Sequence, residues 1–490
     1  MARAIGIGFS GGIVRSMRGA VNRRGYDDGV HSHIFRRYDI RGVADSQLST
    51  EVAYGVGRAL GTRIRRAGGS VAVVGQDVRE SSPRLAAAAC EGLAATGLQV
   101  EDLGVVPTPV WMHALKTRQR HGGIMVTGSH NPRHDNGLKC CLGSESLWGD
   151  AVTSLRTQIL AEDFETGHGR VDSVDWLPTY TEQLCAEFSL KPGLKVAVDC
   201  GNGVMGPLVL QVLARMGCVV EALYCEPDGN FPNHIPDPEV PKYMADLGRR
   251  VVQSGAACGI GFDGDGDRVG LLDERGHKHA ADRVIALFAR PLLLQHPGGV
   301  VRYDVKCSDF LEAEIRALGG VPVMGETGHS LLKRDIAKLD AILGGELSGH
   351  IIVARGWPAI DDSLFDALFF LQILQQSGGA ASSLFASFPQ LCSTAEIKLP
   401  CADARKEAVV QGITAQFSAA FEVCTIDGAR VRTPDGWFLV RSSNTTPNLT
   451  VRLESPDRAA LLRNRQLLID AFVSFPDTDT RPLIEETESC

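Results

Sequence analysis

Residues 122–132, GGIMVTGSHNP, combine a short apolar run with a polar loop, and they decide how the rest of the chain is interpreted. The run is bounded by glycines, as a buried strand of an α/β sheet would be. The loop therefore begins where a strand ends, which is where α/β folds bind their ligands. The hydroxyl of Ser129, between flexible Gly128 and rigid Pro132, is a candidate nucleophile. A turn that caps a following helix is the alternative interpretation.

Strand-like and helix-like segments alternate from Ile34 onward, which is typical of α/β units with right-handed crossovers. Three successive regions share one plan, in which an apolar strand is followed by a polar loop and an amphipathic helix. After Phe388 the pattern becomes α+β. We predict three related α/β domains with mixed sheets and a C-terminal α+β domain, preceded by a disordered extension. The predicted bounds are 1–33 for the extension and 34–174, 175–277, 278–389 and 390–490 for the domains.

The composition indicates a multidomain chain of 490 residues with a modest negative charge. Its 50 lysines and arginines against 58 acids give a net charge of −8, which argues against nucleic-acid and anionic-membrane partners. No apolar run reaches the length of a transmembrane helix. The 13 cysteines are scattered without metal-type spacing, so we expect reduced thiols and a cytoplasmic location.

Residues 263–268, DGDGDR, place three carboxylates in one short loop after an apolar strand. Asp263, Asp265 and Asp267 would repel one another unless a cation lies among them, and the glycines let the backbone bring them together. Mg²⁺ is the expected ion, because hard divalent cations prefer oxygen ligands. An EF-hand is a competing interpretation, although Arg268 occupies the position that needs glycine there. A solvated acidic turn is the other alternative.

Residues 344–350, GGELSGH, form another polar loop after an apolar strand, which we predict at 341–343. Glycines frame the loop at both ends. Glu346, Ser348 and His350 supply hydrogen-bond donors and acceptors that suit a polyol.

Residues 441–446, RSSNTT, offer a guanidinium, several hydroxyls and an amide in one loop. These groups suit a phosphate that does not react. Individually weaker candidates, all at predicted loop positions, are Tyr38, Arg41, Lys306 and His329.

The four motifs TGSHNP, DGDGDR, GELSGH and RSSNTTP occur in this order and resemble those of the α-D-phosphohexomutases, in particular the bacterial phosphomannomutase/phosphoglucomutase group. The similarity runs from about residue 34 to about residue 472. The resemblance implies four domains around one central cleft. It also implies that Ser129 carries a phosphoryl group and that Asp263, Asp265 and Asp267 bind Mg²⁺ together with an oxygen of the phosphoserine.

The same resemblance implies roles for the other candidates. Near the reacting oxygen it places groups that supply acid, base or positive charge, namely Arg41, His130, Lys139 and Arg268. On the substrate it places Tyr38, Lys306, His329, Glu346, Ser348, His350, Arg441, Ser443, Asn444 and Thr445. Glu346 and Ser348 are expected at the sugar's O3 and O4, where glucose and mannose do not differ.

The reaction that the resemblance implies interconverts the 1-phosphate and 6-phosphate of glucose, mannose or both. Ser129 would exchange its phosphoryl group with the sugar, and glucose 1,6-bisphosphate or mannose 1,6-bisphosphate would serve as intermediate and activator. A phosphoglucosamine mutase is the nearest alternative, and a sugar-phosphate phosphatase and a non-catalytic sensor are further ones. We expect hexose phosphates as the partners and a monomer as the assembly, with a dimer as the alternative.

Three positions depart from the family pattern. Gln76 and Val78 stand where relatives usually have arginine and glycine, and Glu326 stands where close relatives have a lysine. An acid at that place would weaken anion binding if its side chain pointed into the phosphate site. Substrate affinity and sugar preference are therefore less determined by the sequence than the class of reaction.

Overall fold

The computed structural model describes residues 30–443 and 446–485, and its strands form four sheets in chain order. The first sheet consists of β1 (Ile40–Val43), β2 (Val71–Gln76), β3 (Gln99–Val105), β4 (Gly122–Val126), β5 (Asp135–Leu142), β6 (Glu145–Ser146) and β7 (Arg170–Ser173). Their order is β1-β5-β4-β2-β3-β7, with β6 beside β5. The sheet is mixed, because β4, β2, β3 and β7 run parallel whereas β5 is antiparallel to both of its main neighbours. The helices of this region are α1 (Thr50–Arg66), α2 (Ser82–Ala94), α3 (Thr108–Thr117) and α4 (Asp150–Leu160).

The second sheet has the order β12-β11-β10-β8-β9 and is also mixed. Its parallel strands are β8 (Lys195–Asp199), β9 (Val219–Leu223) and β10 (Cys258–Phe262), and its antiparallel strands are β11 (Val269–Leu272) and β12 (Lys278–His279). The helices before and between these strands are α5 (Leu177–Ala186), α6 (Gly206–Arg215) and α7 (Ala245–Ser254), with a 3-10 turn at Pro241–Tyr243.

The third sheet repeats the plan with four strands in the order β14-β13-β15-β16. These are β13 (Val300–Asp304), β14 (Val321–Gly325), β15 (Leu343–Gly345) and β16 (Ile351–Val353), of which only β16 is antiparallel. The helices around it are α8 (Ala281–Gln295), α9 (Asp309–Ala317), α10 (His329–Leu339), α11 (Ser363–Ser377) and α12 (Ala381–Phe385).

The fourth sheet differs from the other three because every pairing in it is antiparallel. Its strands are β17 (Cys392–Ser393), β18 (Ile397–Pro400), β19 (Glu422–Cys424), β20 (Ala429–Thr433), β21 (Gly436–Ser442) and β22 (Asn448–Ser455). The accompanying helices are α13 (Asp403–Phe417), α14 (Arg458–Phe472) and α15 (Arg481–Glu485). The predicted fold, three related α/β units with mixed sheets and a C-terminal unit of another kind, is thus confirmed.

The three candidate loops of the α/β units occupy equivalent places. Each joins a parallel strand to the antiparallel strand beside it, at residues 127–134 between β4 and β5, 263–268 between β10 and β11, and 346–350 between β15 and β16. A strand and not a helix follows each of these loops, whereas the predicted order of strand, loop and helix holds for other connections, such as β8 to α6 and β13 to α9. This also excludes the helix-capping turn around Ser129 and the EF-hand at 263–268, both of which need a helix there.

Two predicted boundaries shift in the structure. The strand expected at 341–343 is β15, which begins at Leu343 and includes the first two glycines of the GGELSGH motif. Arg41, expected in a loop, lies on β1, which pairs with β5. β1 pairs with the distant β5, and β15 pairs with the distant β13, so both segments have hydrogen-bond partners that local sequence patterns do not reveal.

The hydrophobic core is continuous across the first three sheets, whereas the fourth sheet and its helices enclose a core of their own. One cluster contains Trp111 of α3, Val198 of β8 and Phe370 of α11, all buried. The loops at the ends of these three sheets are therefore carried on one packed body.

The N-terminal part of the predicted extension, residues 1–29, lies outside the described residues. Val30 is buried, and its carbonyl accepts a hydrogen bond from Arg156 Nε at 2.9 Å. Eleven described cysteines are free thiols, as expected, but Cys392 is disulfide-bonded. Within residues 30–443 and 446–485, every helix falls short of the length and apolarity that crossing a bilayer requires.

Candidate active site

Ser129 is buried in the turn between β4 and β5, with only 2% of its surface exposed. Its φ of 48° is in the left-handed region, which is unfavourable for residues other than glycine. The backbone N–H of Ser129 donates to Thr127 Oγ1 at 2.9 Å. Its Oγ lies 2.8 Å from Asp263 Oδ2 and 3.0 Å from His130 Nδ1. The turn therefore points the candidate nucleophile at the acidic loop of the second sheet.

The loop at 263–268 is shaped by its first aspartate. Oδ1 of Asp263 accepts hydrogen bonds from the backbone N–H groups of Gly266, Asp267 and Arg268, at 2.9, 3.0 and 3.2 Å. Gly266 has a φ of 77°, which only glycine adopts without strain. The loop thus curls around Asp263 and leaves its other oxygen, Oδ2, facing Ser129.

Three carboxylates of this loop form a buried acidic cluster. Asp263, Asp265 and Asp267 are each at most 1% exposed, and one oxygen of each lies within 4.8 Å of the others. Among the described residues, Oδ1 of Asp265 and Oδ1 of Asp267 have no hydrogen-bond partner. Buried oxygens without partners are costly, and hard divalent cations use such oxygens as ligands. The donor set therefore fits a divalent metal ion.

Lys139 on β5 contributes the nearest positive charge to the acidic cluster. Its Nζ lies 2.6 Å from Asp265 Oδ2 and 2.6 Å from Asp267 Oδ2. Thr108, at the start of α3, donates to Asp265 Oδ2 at 2.6 Å. One ammonium among three carboxylates leaves the cluster negatively charged, so it retains a preference for a cation.

The pKa values of the cluster reflect this crowding. Burial and the neighbouring carboxylates raise the pKa of Asp263 well above its usual range. Burial opposes ionisation of Asp267 as well, but Lys139 holds the pKa of that carboxyl below its usual value. Burial would lower the pKa of Lys139, and Asp265 and Asp267 outweigh this effect and raise it. The two aspartates that Lys139 contacts therefore favour its charged form.

Three further residues predicted near the reacting oxygen lie around Ser129. Arg41 on β1 donates to Asp39 Oδ2 at 2.6 Å and to Asn131 Oδ1 at 2.9 Å. Burial and two arginines lower the pKa of His130 well below its usual value, so its imidazole is neutral near pH 7. Arg268 Nε lies 3.0 Å from His350 Nε2. We call Ser129, the three aspartates and Lys139 the reaction cluster.

His350 joins the acidic loop to the third sheet. Its Nδ1 lies 3.3 Å from Asp361 Oδ2 and 3.7 Å from Asp267 Oδ1. The ring stacks on that of His329, with centroids 5.4 Å apart. Burial and nearby cations lower the pKa of His329 well below its usual value, and neither of its ring nitrogens has a partner among the described residues. His329 is thus a half-buried, neutral imidazole whose two ring nitrogens are buried and form no hydrogen bond with the described residues.

The predicted sugar-binding loop turns its acid toward the start of α10. Glu346 accepts hydrogen bonds from the backbone N–H of Gly328 and, at 3.2 Å, from Ser348 Oγ. Tyr38, from the first unit, donates its hydroxyl to the Thr327 carbonyl at 2.6 Å. The structure therefore brings Tyr38, Glu346 and Ser348 together at residues 327–328.

Two cations predicted to bind phosphate are each paired with an acid. Lys306 forms an ion pair with Glu396, and its Nζ lies 3.7 Å from Asp304 Oδ2. Arg441 is within 3.0 Å of Asp427 Oδ2 through both Nε and Nη2. Asp427 Oδ2 also accepts the backbone N–H of Thr327 at 3.0 Å.

The rest of the phosphate motif is described in part. Ser443 Oγ lies 2.9 Å from Thr446 Oγ1, while Asn444 and Thr445 lie outside the described residues. We call Tyr38, Lys306, Glu346, Ser348 and Arg441 the recognition cluster.

The two clusters belong to one site. Asp267 of the reaction cluster contacts His350, which stacks on His329, and His329 follows Thr327 and Gly328 directly in the chain. The loops of all three α/β units and the strand end that carries Arg441 therefore meet in one region, as the predicted central site requires.

Glu326, the unexpected acid, pairs with Arg37 across the first and third units. Arg37 Nη2 lies 2.7 Å from Glu326 Oε1, and the two side chains are 37% and 29% exposed. The Arg37 guanidinium therefore compensates the negative charge of Glu326, which would otherwise weaken anion binding. Gln76 has a buried side-chain oxygen without a described partner, and nothing in the structure explains this residue choice.

Several residues that contribute to the site were not predicted from the sequence. They are Arg37, Asp77, Arg79, Thr108, Asp361, Glu396 and Asp427. No local motif marks them, since each acts on a segment that is distant in the sequence. Only an Ile-Asp-Gly turn, at 426–428, could have drawn attention to Asp427.

Comparison with known proteins identifies the family. Models of four successive phosphoglucomutase/phosphomannomutase domains match the chain, with α/β/α domains I, II and III at residues 32–166, 178–276 and 280–392 and the C-terminal domain at 396–471. Together these matches cover most of the chain.

Two curated relatives and one solved structure are similar over nearly their whole length. A phosphomannomutase/phosphoglucomutase of Pseudomonas aeruginosa is 41% identical over 451 residues, covering 90% of this chain and 97% of that protein. A phosphoglucomutase of Neisseria gonorrhoeae is 36% identical over 435 residues, covering 88% and 94%. The crystal structure of a phosphoglucomutase/phosphomannomutase family protein from Burkholderia thailandensis has a TM-score of 0.86 at 39% identity and covers 91% of this chain and 98% of its own. The chain therefore belongs to the phosphoglucomutase/phosphomannomutase family of hexose-phosphate mutases.

Proposed function

We propose that Ser129 stores a phosphoryl group and exchanges it with the hydroxyls at C1 and C6 of a hexose phosphate. The observation that carries this proposal is the position of Ser129 Oγ, buried and 2.8 Å from Asp263 beside an acidic cluster with two unpartnered oxygens. A phosphorylated serine at this place would be next to a cation site, which is what phosphoryl transfer requires.

Asp263, Asp265 and Asp267, with an oxygen on Ser129, would hold the metal ion, for which Mg²⁺ is our choice because all the donors are oxygens. When bound, Mg²⁺ neutralises charge on the phosphoryl group that is transferred. Lys139 and Arg268 supply fixed positive charge on the same side, and burial strengthens that effect.

In the forward half-reaction, the free hydroxyl oxygen of the substrate attacks the phosphorus on Ser129. A new bond forms from phosphorus to the sugar oxygen, and the hydroxyl proton of the sugar passes to a neighbouring base. The bond from phosphorus to Ser129 Oγ breaks, and Oγ leaves with the electron pair and takes up a proton. The product of this step is a hexose 1,6-bisphosphate. In the second half-reaction, Ser129 Oγ loses its proton and attacks the other phosphate of the reoriented bisphosphate. The bond from that phosphorus to the sugar oxygen breaks, the sugar oxygen takes up a proton, and the isomerised monophosphate and a phosphorylated Ser129 result.

The recognition cluster would hold the sugar and the phosphate that does not react. Glu346 and Ser348 are suited to neighbouring sugar hydroxyls, because a carboxylate and a hydroxyl together accept and donate. Lys306, Arg441, Ser443, Asn444 and Thr445 would bind the phosphate, with Tyr38 beside them, while His329 and His350 contact the ligand. Recognition through O3 and O4 leaves C2 uncontacted, so glucose and mannose phosphates are both proposed substrates.

We also propose a location and an assembly state for the protein. Eleven of the twelve described cysteines are free thiols, which supports a reducing compartment such as the cytoplasm, whereas the disulfide at Cys392 counts against it. We propose a monomer because the four loops of one chain already meet at the site.

A coupled assay tests the proposal. Glucose 1-phosphate, mannose 1-phosphate and glucosamine 1-phosphate are supplied in turn with Mg²⁺ and a trace of glucose 1,6-bisphosphate, and the 6-phosphates and free inorganic phosphate are measured. We expect isomerisation of the glucose and mannose compounds without stoichiometric phosphate release. Preferred turnover of glucosamine 1-phosphate would replace the proposed substrates, and phosphate release in step with substrate loss would indicate a phosphatase.

A further inference from the structure

Arg79 is one of the largest fully buried side chains of the protein, although arginine is rarely buried. It lies in the connection from β2 to α2, and its residue is 1% exposed. The proposed reaction gives it no role. A buried guanidinium needs compensating hydrogen bonds, so its partners show what the surrounding structure gains from its presence.

The guanidinium of Arg79 has five N–H bonds, and each of them has an acceptor. Its Nε donates to Asp77 Oδ2 at 3.2 Å. The four remaining N–H bonds donate, over 2.7 to 3.0 Å, to the backbone carbonyls of Ser129, Asn131, Pro132 and Asp135. The carbonyls of Ser129, Asn131 and Pro132 belong to the loop between β4 and β5 that carries the proposed phosphorylated serine, and Asp135 is the first residue of β5.

Asp77 holds the other side of the same segment. Its Oδ2 accepts the Gly128 N–H at 3.1 Å and the Thr127 hydroxyl at 2.8 Å, and Thr127 in turn accepts the Ser129 N–H. A Cβ at Gly128 would lie 2.4 Å from Arg79 Nε, so the glycine allows the close approach. The Asp77–Arg79 pair therefore holds the loop from its first residue, Thr127, to the start of β5 at Asp135.

These hydrogen bonds explain how Ser129 maintains its strained backbone conformation. A φ of 48° costs free energy for a residue with a side chain, and such a conformation persists only where the surroundings determine it. The carbonyl of Ser129 is fixed by Arg79 Nη2 at 2.8 Å, which limits the rotation that would relieve the strain.

The second unit covers Arg79 and continues the contact toward the metal loop. The ring of Phe231 lies over the guanidinium, 4.9 Å from Cζ to the ring centroid. A Cβ at Gly264 would lie only 2.3 Å from the Ser129 carbonyl oxygen, so the acidic loop packs directly on the backbone that Arg79 holds. Arg79 thus fixes the serine loop at the surface where it meets the aspartates.

We propose that Arg79 is a positioning residue for phosphoryl transfer. Its hydrogen bonds to four backbone carbonyls hold Ser129 Oγ against the metal loop, and its contact with Phe231 links the position of Ser129 to that of the second unit. This inference rests on the proposed function, because it assumes that Ser129 is the residue that reacts. A positioning role predicts that disturbing Arg79 slows the chemical step and leaves substrate binding intact, since the recognition cluster lies mainly on the third and fourth sheets.

The test compares Arg79→Lys with Arg63→Lys. Both substitutions keep the positive charge and remove the planar set of guanidinium N–H donors. Arg63 donates hydrogen bonds to Gln158, Ala151 and Ser154 in the first unit, away from the serine loop. Labelled glucose 1,6-bisphosphate at saturation provides the rate of phosphoryl transfer to Ser129. Its affinity and the midpoint of thermal unfolding are measured in parallel.

We expect Arg79→Lys to slow the transfer by about 100-fold, the scale of a misplaced reacting atom, with bisphosphate affinity unchanged. Arg63→Lys should lower the thermal midpoint without slowing transfer. A folded Arg79→Lys protein with wild-type transfer, or with affinity and rate reduced in proportion, would overturn the inference.

Phe231→Leu provides a second route if Arg79→Lys does not fold. It removes the ring over the guanidinium and leaves all five hydrogen-bond acceptors in place, so a smaller slowing with unchanged affinity is expected. Wild-type transfer in this variant would overturn the role of Phe231 in the inference. If the wild-type protein itself never acquires label, the proposed function fails instead, and the two failures are therefore distinguishable.

Discussion

The reaction cluster and the recognition cluster hold opposite balances of charge. At the reaction cluster three buried carboxylates face one ammonium, Lys139, and two carboxylate oxygens have no hydrogen-bond partner among the described residues. At the recognition cluster the cations are already compensated, Lys306 by Glu396 and Arg441 by Asp427. The first cluster therefore needs an added cation, whereas the second must exchange an internal acid for a phosphate.

This difference in charge balance indicates that substrate binding and phosphoryl transfer depend on different residues. A phosphate that enters the recognition cluster gains contacts with Lys306 and Arg441 but takes the place of acids, so its net affinity is smaller than the number of cations implies. The reaction cluster, in contrast, is preformed around Ser129 and depends on its metal. Changes at the two clusters should therefore alter different kinetic constants.

The largest effect is expected from Ser129→Ala. Loss of the atom that carries the phosphoryl group should lower kcat by roughly 10⁴-fold or more, while hexose-phosphate binding, measured by calorimetry, is retained. Ser348→Ala in the recognition cluster is the matched change and should raise KM with little loss of kcat. Substantial isomerisation by Ser129→Ala would contradict the role of this hydroxyl.

Asp265→Asn tests the charge balance of the reaction cluster. The amide keeps the shape of the side chain but cannot supply an anionic ligand, so the Mg²⁺ concentration for half-maximal activity should rise by about 100-fold or more. A Mg²⁺ titration of initial rates measures this directly. Asp427→Asn, at the other cluster, should keep the wild-type Mg²⁺ dependence, and an equal shift in both variants would remove the distinction between the clusters.

Arg441→Lys tests the recognition cluster. Lysine keeps the charge but loses the planar pair of donors, which is worth about 1.5–3 kcal/mol for a charged partner, or roughly 10- to 100-fold in KM. At saturating substrate kcat should stay close to that of the wild type. A fall in kcat with unchanged KM would place Arg441 in the chemical step, contrary to the proposed separation.

The smallest effect, and the one with the opposite sign, is expected from Glu396→Gln. Removal of the acid that pairs with Lys306 should favour phosphate binding and lower KM by roughly 3- to 10-fold. Glu326→Gln is the control, because exposed ion pairs such as Arg37–Glu326 contribute only about 0–1 kcal/mol, so KM should change less. A higher KM in Glu396→Gln would show that Glu396 orients Lys306 instead of competing with phosphate.

Much of this fold could be predicted from sequence, since short apolar runs such as 122–126 and 258–262 are buried strands that end at polar loops. The antiparallel partners of these strands were harder to predict. β5 is buried along most of its length although it contains Asp135, Asn136 and Lys139, and its direction depends on which strands pair, a property that local periodicity does not encode.

The candidate site was predictable where its chemistry is concentrated in a motif, as in DGDGDR, and not where it depends on distant contacts. Arg79 bonds to the carbonyl of Ser129, which is 50 positions away, and backbone carbonyls carry no residue-specific signal. Asp427 and Thr327 are 100 positions apart, and Lys306 and Glu396 are 90 apart. Such pairs follow from the packing of whole units against one another. Whether Glu326 weakens anion binding likewise depends on Arg37, and the sequence does not show that these two side chains are paired.

The most direct measurement is the covalent state of Ser129. Purified protein is incubated with Mg²⁺ and glucose 1,6-bisphosphate labelled in both phosphates, then denatured, digested and mapped by mass spectrometry. Label on Ser129 that a later addition of unlabelled glucose 6-phosphate removes would agree with a phosphoryl group stored beside the acidic cluster. Isomerisation by a protein that never acquires label on Ser129 would contradict this account.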